Sequence, residues 1–496
     1  MRPTQITFNE KHIFSDTPYE SDDFGKSAAR RLRYSLFWKM YQRGSYRKDV
    51  SAWAQARLTN QSLYAAIRSI YGPAYRLGEF GKMYLWGGQL DPAAGDGMEV
   101  PSALPVVTEN ENIREFISQL WAWSNWRTQK DTIALQGTVL GDAFIRVVDD
   151  RLAKKVYLEV LHPSIMEEVT KDAWGNIKSY VITFPTKHPE SGLDVVFKEV
   201  CERNGDDVVF ETFSDTQPYA WNGVASKWSE SYGFVPVVHI QHNNIGVGWG
   251  LSELHAVRTQ LQEMDDVASV VTDRIRRMMK SGWMFSGYTP PGGASTSTEI
   301  VIPSRYASMS VVERRSAPDP IREDEPILYT SNEHARPWPL VGPSDISGAV
   351  EYLSAIEEET ERNYPQLRYE VLRAGGLASG TALRMARQPA ETRVRQHRAN
   401  YDDPLVRAQQ MALSIGGYRD IFPGIDLETF TAGGLAHRIG ARPVFQVDEA
   451  EENEADKSFW EAAKLAGDAG FPLGAYLLHK GWAPEDVALY LDTEEV

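Results

Sequence analysis

The 496-residue chain has a single cysteine, Cys201, so it can form no internal disulfide and no thiolate zinc site. Basic charge is also scarce: 52 Lys and Arg stand against 68 Asp and Glu, a net charge of −16. That balance argues against a protein that coats nucleic acid with a general basic surface, so any such contact must be local. Long apolar runs are missing. The longest, such as 180–184 and 234–238, fall far short of the ~18 residues of a membrane span. The start, MRPTQITFNEKHIF, has no apolar h-region, so a protein of a reducing compartment, outside any membrane, is expected. No GxxxxGK[ST], HExxH, GxSxG or CxxC pattern occurs, and the ten histidines are scattered. The expectation is a non-enzyme with no cofactor and no metal site. No repeat of 20–50 residues stands out.

What the chain has is an ordinary globular composition, 42% hydrophobic and 24% charged, with 14 Trp, 22 Tyr and 18 Phe. Its length allows two to four domains with normal cores. Residues 26–48 reverse the overall sign, with eight Lys or Arg, no acid, and Tyr34, Phe37, Trp38, Tyr41 and Tyr46 among them. They suit either a surface for an anionic partner or an amphipathic helix with packed aromatics and a solvated basic face. Residues 50–135 read mainly as helices; Ile113, Phe116, Ile117, Leu120, Trp121 and Trp123 or Trp126 recur at helical spacing. From Gly141 the pattern turns to strands, in DAFIRVVDD, KVYLEVLHP, SYVITFP, LDVVFKEVCE and DDVVFETF. Turns such as DAWGN and RNGDD separate them, and an antiparallel region ending in FVPVVHIQH follows.

The glycines of NNIGVGWGLSEL, Gly246, Gly248 and Gly250, follow a strand and precede a helix. Their GxGxG spacing is not the GxGxxG of a dinucleotide site. A tight reversal with Ser252 as helix cap is the better reading. Beyond it, Leu254, Val257, Leu261, Met264, Ala268, Val271, Ile275 and Met278 alternate steps of three and four. This narrow seam predicts a rod over 253–280, acidic at its start and basic at its end in Arg274, Arg276, Arg277 and Lys280. Such a stripe leaves much of the circumference polar, which suits the wall of an assembly. Residues 282–343 are Pro- and Gly-punctuated and read as a compact insertion with strand material. A second helix begins near Ser344 and ends in an acidic run at 357–361. The tail carries DEAEENEAD and several helical pieces.

GGLASGTALRMARQPAETRVRQHR, residues 375–398, holds five arginines and one glutamate. A helix starting near Gly380 behind Ser379 puts Arg384, Arg387, Glu391, Arg395 and Arg398 on one stripe. Leu383, Ala386, Ala390, Val394 and His397 fall beside it, against protein. Pro389 should bend this helix, and the DDP at 402–404 should break it. Upstream, Arg368 and Arg373 flank a small-residue hinge at 374–376. The arginine face suits either a phosphate backbone or acids of a neighbouring subunit, such as 357–361.

This order of parts resembles the portal protein of tailed double-stranded-DNA bacteriophages. PVVHIQHNN…GWGLSEL, SGTAL opening a long helix, and KLAGDAGFPLGAYLLHKGWAPEDV carry the likeness, over roughly residues 30–490. The resemblance implies an α+β, portal-like fold. Its parts would be a wing (1–252) with helices then β-rich structure, a stem helix (253–281), a small α/β clip (282–343) and a second stem helix (344–364). A tunnel loop (365–379), a kinked tunnel or wing helix (380–416) and a helical C-terminal crown (417–496) would follow. It also implies a ring of about twelve subunits at one capsid vertex of the virion, assembled in the host cytoplasm. That ring would be a head–tail connector and DNA channel for genome packaging and ejection. It would dock the large terminase and a head-completion or connector protein, beside the major capsid protein and a scaffold. Arg368, Arg373, Gly375 and Gly376 would form the tunnel loop, and Arg384, Arg387, Arg395 and Arg398 a tunnel or intersubunit face. The other reading is a capsid-associated minor head or scaffold-type protein without a DNA channel.

Overall fold

In the computed structural model of the chain, residues 27–46, 67–87, 104–221, 223, 225–246, 248–279, 283–286, 300–301, 327–330, 346–368, 380–442, 444–445 and 449–479 are described. The helical lead comprises α1 (Ser27–Tyr41), α2 (Ala74–Tyr84), strand β1 (Val106–Val107), α3 (Glu111–Trp123) and α4 (Trp126–Leu140). A β-rich part follows: β2 (Asp142–Asp150), β3 (Lys155–Leu161), β4 (Met166–Lys171), β5 (Ile177–Lys187), β6 (Asp194–Asn204), β7 (Asp207–Ser214), β8 (Gln217–Pro218), β9 (Lys227–Glu230) and β10 (Val237–Gln241). A short hairpin, β11 (Asn243–Asn244) with β12 (Gly250–Leu251), leads to α5 (Arg258–Met279). Then come β13 (Trp283–Ser286), β14 (Ile300–Val301), β15 (Ile327–Thr330), α6 (Ser347–Asn363), α7 (Gly380–Tyr418), α8 (Leu427–Thr431), β16 (Arg438–Ile439), α9 (Glu449–Asp468) and α10 (Leu473–His479).

The fold mixes helices with antiparallel sheets. β10, β2 and β3 form one sheet in that order, with His239 opposite Phe144 and Phe144 opposite Leu161. A second sheet runs β4-β5-β6-β7-β8, with β9 also on β7. β5, β6 and β7 alternate inward and outward residues over most of their length: Tyr180, Ile182 and Phe184 are buried on β5, and Phe197 and Cys201 on β6. The small sheet from 282–343 has β15 at its centre, parallel to β13 and antiparallel to β14. The main core lies where α3, α4 and α7 cover the three-stranded sheet, around Ile117, Trp126, Phe144, Ile240 and Tyr401.

One local expectation is sharpened and two are corrected. The helical pattern of 109–137 is carried by two helices: Asn125 is left-handed (φ 48°), and Ser124 Oγ donates to the Leu120 carbonyl of its own helix while accepting the Leu158 N–H at 2.8 Å. Among the described residues of the basic aromatic segment, Arg43 is exposed but Arg30, Arg31 and Arg33 form no solvated face. Tyr34, Phe37 and Met40 pack as the spacing implied, but Arg30 is buried with them. It donates to the Met166 and Glu167 carbonyls at 3.1 and 2.8 Å and lies over the Trp249 ring at 3.5 Å. Arg31 reaches the Ser164 carbonyl and Thr183 Oγ1. Finally, α7 runs unbroken from Gly380 to Tyr418 through both Pro389 and Pro404, so 402–404 is no break. Each proline removes one N–H donor, a loss that packing of the helix on the sheet outweighs.

Candidate functional site

Two rods and the arginine helix meet above the core. Helix α5 begins at Arg258, five residues later than the seam suggested. Leu254 and Val257 lie in the turn before it, where Ser252 Oγ accepts the Leu254 N–H and donates to the Thr138 and Val139 carbonyls. Ser252 therefore fastens a turn to α4 and does not cap the rod. Leu254, Val257 and Leu261 are buried against Tyr34, Phe37, Leu77 and Leu140. Asp265 anchors the next turn, accepting the Tyr46 hydroxyl at 2.7 Å and the Tyr71 and Gly72 N–H groups at 2.6 and 2.8 Å.

Helix α6 returns antiparallel. Its end lies at the start of the rod, because the Tyr364 hydroxyl donates to the Glu253 carbonyl at 2.6 Å. The pair is zipped by Met264, Leu353 and Ile356, with Val267 and Ala268 partly covered. Past this contact the seam emerges. Val271 is half-buried. Val270 and Ile275 are 52% and 39% exposed, and Val350 and Tyr352 on α6 57% and 49%. The side chains of Arg274, Arg276, Arg277 and Arg384 lie outside the described set, as do Lys280, Arg373, Gly375 and Gly376 altogether.

The arginine stripe does not act as one face. Arg368 is exposed, and Arg395 is exposed and paired with Glu391 at 2.6 Å. Arg387 is half-buried, 5.8 Å from the centre of the Phe445 ring. Arg398 is buried, giving its protons to the carbonyls of Leu85, Arg442 and Tyr84 at 2.8, 2.7 and 3.2 Å. Burial, with Arg442 beside it, pushes Arg398 down to about 10. Arg398 is thus a structural tie, not a contact for DNA or another subunit. The acids at 357–361 also find partners within the chain: Glu357 pairs with Arg76 at 3.0 Å and Glu358 with Arg362 at 2.9 Å. Ala390 and Val394 are buried, as expected of the neighbouring stripe.

No family model and no curated protein matches this chain. Among solved structures it is similar to a chain of the virion of a native gene transfer agent (GTA) particle. The identity is 14%, over 80% of this chain and 89% of that one, with a TM-score of 0.38. A second similarity is to the neck of an empty GTA particle computed with C6 symmetry, 13% identical over 72% and 81% of the two chains, with a TM-score of 0.33. Likeness at this level carries no argument about function, which rests on the residues themselves. Among the described residues no helix is long and apolar enough to cross a membrane.

Beneath the rods lies a group that reading the sequence passed over. Glu253 is buried and faces His242, His397 and Arg393, whose Nη2 donates to Glu253 Oε2 at 2.6 Å. Arg393 also lies over the Tyr364 ring and reaches the Asn363 carbonyl. Burial alone would push the Glu253 carboxyl up. The two imidazoles and Arg393 outweigh it and hold the acid well below the usual carboxylate range. Burial and the adjacent His397 push His242 down to about 4, so its ring is neutral at pH 7. The ends of β10, α6 and the rod are therefore joined to α7 through one acid. Each histidine looked scattered in the sequence, because positions 242, 253 and 397 converge only once α7 crosses the sheet.

Proposed function

We propose that the chain is a portal-type subunit, many copies of which form a ring around a channel for double-stranded DNA at a capsid vertex. One observation carries the reading. The α5–α6 pair is only two helices thick, is zipped along a short seam, and leaves Val270, Ile275, Val350 and Tyr352 exposed on its outer part. An antiparallel pair with apolar residues left in water is what lateral packing between copies would cover. The reading makes the rods staves of a barrel and the small sheet of β13–β15 its outer clip, the docking platform for a terminase motor and later a head-completion or connector protein.

Charge supports the same use. About twelve copies at −16 each sum to about −190, so a largely acidic bore would repel the duplex and let it slide. The exposed Arg368 and Arg395 would be isolated touch points in that tube. No chemistry is assigned to the ring itself; the motor that docks on it would hydrolyse nucleotide. Electron micrographs of the purified full-length protein test the proposal. Rings of about twelve subunits with an open axis are expected. A stable monomer, or irregular fibres, at high concentration would overturn it.

A further inference from the structure

His242 follows β10, Glu253 lies in the turn leading to α5, and His397 sits midway along α7. One ligand atom from each lies within 4.8 Å of the others. Nε2 of His242 is 3.1 Å, and Nε2 of His397 2.9 Å, from the same atom, Glu253 Oε1. The remaining ring nitrogens are engaged elsewhere. His242 Nδ1 is 2.7 Å from the Tyr401 hydroxyl, and His397 Nδ1 is 3.3 Å from the His242 carbonyl.

Both neighbours of the His397 ring only accept: the His242 carbonyl at Nδ1 and Glu253 Oε1 at Nε2. A neutral ring carries one proton, so one of its nitrogens turns a lone pair toward an acceptor. His242 Nε2 is hydrogen-bonded to the same Oε1 at 3.1 Å. Both Nε2 atoms thus lie near one carboxylate oxygen, where a metal ion would be shared by all three side chains. A second observation points the same way. Gln366 is buried, and its Oε1 finds no hydrogen-bond partner among the described residues. It lines, with these three residues, a cavity of about 20 Å³, room for roughly one water.

We propose that His242, Glu253 and His397 bind a divalent transition-metal ion of the zinc class, with a water held by Gln366 in the fourth position. Two imidazoles and one carboxylate form a borderline donor set, which selects zinc over magnesium or calcium. Metal–ligand bonds of about 2.0–2.1 Å put neighbouring tetrahedral ligands roughly 3.3 Å apart. Glu253 Oε1 is already near that spacing from each ring nitrogen, and the stacked rings must turn for both Nε2 lone pairs to converge on the ion. The outer contacts suit the role. Tyr401 and the His242 carbonyl orient the rings through Nδ1, and Arg393 takes Oε2 and leaves Oε1 to the metal. The ion would clamp the root of the rods to α7, whether or not the chain forms a ring.

The test uses the full chain, stripped with a chelator and titrated with Co²⁺, whose tetrahedral complexes absorb visible light. One Co²⁺ per chain is expected, with bands displaced by one equivalent of Zn²⁺ and a Zn²⁺-dependent rise in Tm. His397→Ala should weaken binding by more than the ~10–100-fold that loss of an outer partner costs. Absent bands, or equal binding in wild type and His397→Ala, would overturn the site. Should that variant not fold, zinc-edge X-ray absorption of the wild type decides. Two imidazole scatterers support the site, and fewer overturn it.

Discussion

Arg442 grips Asp402 through two parallel hydrogen bonds, Nη1 to Oδ2 at 2.9 Å and Nη2 to Oδ1 at 2.7 Å. Its Nε donates to the Trp86 carbonyl at 2.8 Å, so one guanidinium joins α7 to the chain around residue 86. The arginine side chain is buried and the aspartate half-buried. Asp402→Ala would strand that cation, and a broken pair of this kind costs about 3–5 kcal/mol. Denaturant unfolding should show a loss of that order, with an unchanged m-value.

Arg398 and Arg395 lie three residues apart on the same helix and should behave oppositely. Arg398→Met removes three charge-assisted bonds to buried carbonyls, each worth about 1.5–3 kcal/mol in similar settings. Arg395→Met removes only an exposed pair with Glu391, worth about 0.3–0.5 kcal/mol. Thermal unfolding of the two variants should differ by several degrees. Equal midpoints would contradict the structural role given to Arg398.

Gly250 packs on Gly141 backbone to backbone: a Cβ at Gly250 would lie only 2.0 Å from the Gly141 carbonyl oxygen. Neither partner is a flexible side chain, so relief requires β12 to part from the end of α4. Gly250→Ala should cost at least the ~1–3 kcal/mol of ordinary overpacking. It should also loosen the Ser252 turn, read out as faster amide exchange at Leu254.

His162 supplies a pH signature. Burial pushes it down to about 4 from an ordinary 6.5, and its Nδ1 caps a short turn at Ser164. The folded ring is neutral where the unfolded one binds a proton, so the unfolded state takes up protons between about pH 6.5 and 4. The stability contribution is complete above pH 6.5 and is lost as pH falls toward 4, at up to about 1.4 kcal/mol per pH unit. His162→Asn keeps an acceptor for the Ser164 N–H and should flatten that part of the stability–pH curve.

Local pattern carried most of the fold. β2 spans Asp142–Asp150, the DAFIRVVDD run itself, because a short apolar run bounded by turns acts within a few residues. The prolines of α7 show where such reading stops. DDP at 402–404 looks like a break in isolation, yet Asp402 is held by Arg442 from 40 residues away and the helix continues. Arg30 was misread for a similar reason, since the carbonyls and the indole that receive it belong to residues 166, 167 and 249. The same distance hid Glu253 and its histidines, whose meeting depends on tertiary crossing and has no periodicity to betray it.

The rods bear the most consequential prediction. Val350→Glu with Tyr352→Glu changes two side chains that are already about half exposed, and Val270→Glu a third on the facing rod. Substitutions at such surface positions ordinarily move a monomer's stability by no more than about 0.5 kcal/mol each. If the same side chains are covered by a neighbouring copy, each loses the ~1.5–3 kcal/mol of apolar burial, and the acids must be desolvated besides. A closed ring repeats that penalty at every interface, so assembly should fail while the subunit stays folded. Sedimentation of the triple variant should show monomer with wild-type circular dichroism. Persistent rings would mean that the outer part of the rods faces solvent in the assembly and that copies pack through another surface.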